Sequence, residues 1–175
     1  MTKAGLPRPN IRPVVTALLV SPFASDHVAV QEVFSYLGWT LNAAYNCAEA
    51  VALMRQTSTP VVICERDLRD GYWKTVLQAS VGMPEPPRLL VCSRLVDPEL
   101  LDEARKLGAY SVLASPFDSR DIEVRVQLAW HSWHREWRNT RIVSHGEAGS
   151  SSENGITVVR VSSLPWPSVS RRADN

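Results

Sequence analysis

Val61-Val62-Ile63-Cys64-Glu65-Arg66-Asp67-Leu68-Arg69-Asp70-Gly71 lies near the middle of the chain, and the rest is read outward from it. Its first four residues are apolar without alternation. A strand of that kind buries both faces, as in a parallel sheet covered by helices on each side. Pro60 opens the run, and the polar stretch after Glu65 ends in the turn pair Asp70-Gly71. Upstream, Val14-Val15-Thr16-Ala17-Leu18-Leu19-Val20 is a second such run, and Trp39 to Ala43 predicts a third strand. Downstream, Leu89-Leu90-Val91-Cys92 and Ser111-Val112-Leu113-Ala114 complete five.

Helical spacing fills the gaps. Val30, Val33, Phe34 and Leu37 predict a helix that Ser25 or Asp26 would cap and Gly38 would end. Asn46 predicts a cap for a helix carrying Ala50, Val51 and Met54, and Trp73, Val76 and Leu77 suggest a third helix. Asp97-Pro98 starts a fourth, with Leu100, Leu101, Ala104 and Leu107 inward before Gly108. Asp118 to Asn139 reads as a long last helix. Five strands alternating with five helices imply an α/β domain, a doubly wound five-stranded parallel sheet with helices on both faces. In such sheets a site lies beyond the carboxyl ends of the strands. The residues to watch are therefore Ser21, Pro22, Glu65, Ser93, Arg94 and Ser115.

The chain has 175 residues, with 19 basic against 18 acidic side chains. Residues 1–12 read as a flexible leader, 13–139 as the domain, and 140–175 as a tail expected to be mostly disordered. A formal charge of +1 gives no support to a nucleic-acid or anionic-membrane surface. The apolar run near the N-terminus is far short of the roughly 20 residues a membrane span needs, and no signal peptide is expected. The cysteines, Cys47, Cys64 and Cys92, form no CxxC pair, so buried thiols in a reducing cytoplasm are expected. His131 and His134 are one helical turn apart but lack a third ligand, so no metal is expected there.

Four landmarks in order resemble the receiver domain of bacterial response regulators, which is CheY-like and flavodoxin-like with strand order 2-1-3-4-5. These are Glu65 to Gly71, Leu90-Val91-Cys92-Ser93, Leu107-Gly108-Ala109 and Ser115-Pro116-Phe117. The resemblance covers roughly Val14 to Trp133. It implies a phosphoacceptor Asp, two acidic residues that bind Mg²⁺, and a Lys before Pro. This chain places Glu65, Ser21 and Pro22, and Ser115 at those positions, and Val112 at the aromatic switch position of the fifth strand. Only the hydroxyl at Ser93 is kept.

Losing two carboxylates removes most of the attraction for a hard cation that wants oxygen ligands, and Ser115 offers a phosphoryl oxygen no charge. No cofactor and no catalytic residue are therefore expected. Glu65 is either a fixed negative charge or a solvated strand-end residue, and Arg94 or Arg66 is expected to pair with it. Asp67 is the rival acceptor, in the turn. The implied role is an atypical receiver in a two-component phosphorelay system, a pseudo-receiver binding a signalling protein without being phosphorylated. Its alternatives are phosphorylation on Glu65 or Asp67, and a small ligand in the vacated pocket. The expected contact face joins the fourth helix, Val112 and the last helix. There Trp130, Trp133 and Trp137 follow helical spacing and could serve a partner, a second copy of the chain, or the leader and tail.

Overall fold

The computed structural model describes residues 14–143. The expected leader and the tail beyond residue 143 lie outside the described residues. Strands β1 (Thr16–Val20), β2 (Thr40–Ala44), β3 (Val61–Glu65), β6 (Arg88–Ser93) and β7 (Ser111–Ala114) form one parallel sheet in the order β2-β1-β3-β6-β7. This is the predicted order, with β6 and β7 as fourth and fifth strands. Two short strands were not expected: β4 (Asp67–Leu68) and β5 (Gly71–Tyr72) pair antiparallel and fold the connection after β3 into a small hairpin. Two-residue strands leave no periodic signal to read.

The apolar runs are buried on both faces, as their lack of alternation requires. Leu18, Val20, Val62, Cys64, Leu89 and Val91 point to one side, under α2 (Cys47–Gln56), α3 (Trp73–Ser80) and α4 (Pro98–Leu107). Ala17, Leu19, Val61, Ile63, Leu90 and Cys92 point to the other, under α1 (Ala24–Leu37) and α5 (Ser119–Val143).

Local chemistry sets the helix ends. Asn46 accepts a hydrogen bond from the Glu49 N–H at 2.9 Å, while Glu49 accepts one from the Tyr45 N–H at 2.8 Å. Asp70 then ties the hairpin to the same helix end, because its carboxylate accepts from the N–H groups of Cys47 and Ala48 at 2.8 and 3.0 Å. These bonds hold the Asp70 carboxyl below its ordinary value, the Cys47 N–H first among them. Asp97 caps α4 by accepting from the Leu100 N–H at 2.7 Å, and Gly108 closes it at φ 89°.

Three expectations are corrected. Neither Ser25 nor Asp26 caps α1: its N-cap is Phe23, without a side-chain cap, and Asp26 lies in the first turn. Leu107 is half exposed rather than inward, since α4 is ending there. Trp133 and Val112, placed by sequence on a contact surface, are buried. Trp133 continues the stripe Ile122, Val126 and Ala129, which faces the sheet, and Val112 packs in the α4 side of the core. Trp130 packs partly against the core, Trp137 is half-buried, and the helix runs on to Val143.

Candidate functional site

The carboxyl ends of β1, β3 and β6 bring together residues far apart in sequence. Glu65 ends β3 and is 4% exposed, so it is not a solvated strand-end residue. Asp26, expected from sequence only as a helix cap, is 3% exposed and belongs to the same cluster. Ser21, just past β1, donates its hydroxyl to Asp26 Oδ2 at 2.6 Å and accepts the Phe23 N–H at 3.2 Å. The buried hydroxyl thus fixes the first turn of α1 and aims Asp26 inward. His27 donates from Nε2 to the Ser21 carbonyl at 2.8 Å, and its ring stacks on Tyr45 with centroids 4.4 Å apart.

Arg94 joins the two carboxylates. Its Nη2 donates to Asp26 Oδ1 at 3.1 Å and its Nη1 to Glu65 Oε2 at 3.4 Å. The guanidinium lies over the Phe23 ring, 3.8 Å from the centroid, and 45% of the side chain is exposed. Of the two expected arginines, Arg94 pairs with Glu65. Arg66 points instead to Asp67 at 2.9 Å and Asp97 at 3.9 Å. Asp67 is exposed on β4, in the turn rather than the cluster, as its sequence position suggested.

The other sequence-selected residues frame the cluster. Ser93 donates to the Leu95 carbonyl at 2.8 Å and accepts the Leu95 N–H at 3.2 Å, so its hydroxyl shapes the bend into α4. Ser115 is buried, its N–H bonded to the Ser93 carbonyl at 2.9 Å, and Pro22 is half-buried above Ser21. The Cys92 thiol faces Glu65 Oε2 at 3.8 Å.

Burial pushes the Glu65 carboxyl up to about 7. The Arg94 charge opposes this, the Asp26 charge adds to it, and the Arg66 backbone N–H and the Cys92 thiol lower it in part. Burial, reinforced by Glu65, holds the Cys92 thiol well above its ordinary value, so it stays protonated. Glu65 is therefore no permanent charge. It titrates across the neutral range.

This donor set does not fit a divalent ion. The only two carboxylates in the cluster already converge on a guanidinium, and a cation beside it would meet a like charge. At 4 Å and an effective dielectric of 20, that repulsion is about 4 kcal/mol per unit of cation charge, so about 8 kcal/mol for a divalent ion. Among the described residues no group of three or more His, Cys, Asp or Glu side chains is arranged to hold a metal.

No protein-family model and no curated protein matches the sequence. Solved structures do. The signal receiver domain of an HD domain-containing protein from Pseudomonas fluorescens Pf-5 is similar over 76% of this chain and 98% of its own, with 21% identity and a TM-score of 0.66. The chemotaxis response regulator CheY4 of Vibrio cholerae matches 67% of this chain and 99% of its own, at 18% identity and TM-score 0.62. A CheY-like receiver domain protein from Methanospirillum hungatei JF-1 matches 71% and 99%, at 14% identity and TM-score 0.64. Sequence landmarks, strand order and these structures agree, and the chain has the fold of a CheY-like response-regulator receiver domain.

Proposed function

We propose that the chain is an atypical receiver in signal transduction, acting as a phosphorylation-independent module that binds a signalling protein in the cytoplasm. The observation that carries this reading is the Arg94 guanidinium seated between Asp26 and Glu65. Phosphoryl transfer is largely positioning and charge stabilisation by a bound metal and a cationic side chain. Here the carboxylate at the acceptor position is already paired, and Ser115 carries no charge. Asp67 is held by Arg66 outside the cluster.

Binding is left as the function that the fold supports without chemistry, with Trp130 and Trp137 on the last helix available to a partner or a second copy. The near-balanced charge favours a protein over nucleic acid. No helix among the described residues is long and apolar enough to cross a membrane.

The test is incubation with acetyl phosphate and Mg²⁺ at neutral pH, followed by intact-mass measurement. The mass is expected to stay unchanged over hours. A stoichiometric phosphoryl adduct, mapped to Glu65 or Asp67, would overturn the proposal in favour of a phosphorylated receiver.

A further inference from the structure

We propose that Asp26, Glu65 and Arg94 form a proton-operated latch on the segment joining β6 to α4, in which a proton on Glu65 frees one of the two carboxylates that hold Arg94. The geometry supplies the parts. Residues 94–97 connect β6 to α4 and are tethered at both ends. At one end Arg94 reaches Asp26 and Glu65 at 3.1 and 3.4 Å. At the other, Asp97 caps α4 and meets Arg66 at 3.9 Å. Between them the Ser93 hydroxyl holds only Leu95, through its N–H and carbonyl. Arg94 is thus a half-exposed arm over a buried charge pair, and its hold on Glu65 changes with that residue's protonation.

The groups that face Glu65 come from several elements. Asp26 faces it from α1, Arg94 from the segment after β6, and the protonated Cys92 thiol from β6 itself. Strand β1 brings no titratable group. Arg66, next along the chain, also interacts electrostatically with Glu65, though its guanidinium pairs with Asp67 and Asp97. Lys74 of α3 turns to Glu103, and Arg125 of α5 to Asp121 and Ser111. On its own strand, Cys64 turns its thiol to the Glu65 carbonyl.

The sign follows. As pH falls through about 7, Glu65 gains a proton and its charge pairing with Arg94 is lost. As pH rises, both carboxylates draw the guanidinium in. The latch is a property of this chain alone and does not depend on which partner, if any, the proposed module binds.

The experiment is an NMR titration of the full chain between pH 5.5 and 8.5. It follows the Arg94 Nε–H signal and the backbone amides of Arg94 to Asp97, in wild type, Glu65→Gln and Asp26→Asn. Wild type is expected to show one shared transition with its midpoint near neutrality. Glu65→Gln is expected to lose it. Asp26→Asn is expected to keep it at a lower midpoint, because the neighbouring negative charge that raises Glu65 is gone. A segment that does not respond to pH in wild type, or one that responds unchanged in Glu65→Gln, would overturn the latch. If Glu65→Gln does not fold, the midpoint in Asp26→Asn decides alone: a lower value supports the latch and an unmoved value refutes it.

Discussion

Arg94→Met is expected to cost the fold about 3 kcal/mol at pH 8 and much less at pH 5. Removing one side of a buried ion pair costs about 3–5 kcal/mol, because the partner is left charged and out of water. Arg94 keeps 45% of its side chain in solvent, so the lower end applies. The methionine chain can still lie on Phe23, which isolates the loss of charge. The pH dependence comes from Glu65. Burial raises its carboxyl to about 7, so the folded protein binds that proton more tightly than the unfolded chain does. Its contribution to stability is full below its ordinary value of 4.5 and is lost as pH rises through about 7. Without Arg94 the ionised state loses its largest opposing charge, and the loss at pH 8 deepens. At pH 5 Glu65 is neutral in both proteins, so its pairing with Arg94 no longer separates them. Urea denaturation at the two pH values measures this. Equal costs at both would show that Glu65 does not sense Arg94.

Trp73→Ala should destabilise the protein by about 3–5 kcal/mol, the usual range for emptying a buried aromatic site. Trp73 is 1% exposed and is among the largest fully buried side chains. It packs in the same core cluster as Leu18, Val20, Cys64 and Val76, and its backbone N–H donates to the Arg66 carbonyl at 3.1 Å. It therefore pins the hairpin after β3 to the sheet. The expected result is a lower urea midpoint with little change in slope. A loss under about 1 kcal/mol would mean that the site collapses around the deletion.

The fold was largely legible because its strands are buried on both faces. Val61 to Cys64 and Leu89 to Cys92 have no polar alternation to confuse with anything else, and Asn46, Asp97 and Gly108 mark helix ends by their own hydrogen bonding. The candidate site was half legible. Ser21, Glu65, Ser93, Arg94 and Ser115 follow strands and so collect at one end of the sheet. Asp26 was missed because an acidic residue near a helix start has an ordinary use as a cap. Its burial depends on Ser21 and Arg94, which lie 5 and 68 residues away along the chain. The available signal was position: Asp26 lies in the first turn of the helix that leaves the same strand end as Ser21. Trp133 was misplaced for a related reason. The stripe Ile122, Val126, Ala129 and Trp133 was seen, but how far the sheet reaches beneath it is not a property of the helix.

The Arg94 guanidinium sits between the Asp26 and Glu65 carboxylates, where the receiver resemblance would imply a divalent cation. A manganese titration of the wild-type chain at pH 8, read by paramagnetic broadening of backbone amide signals, tests it most directly. The amides of Ser21, Asp26, Glu65 and Cys92 are expected to stay sharp at millimolar manganese, with at most diffuse broadening at exposed carboxylates. Saturable broadening centred on Asp26 and Glu65, with Arg94 released to solvent, would contradict it.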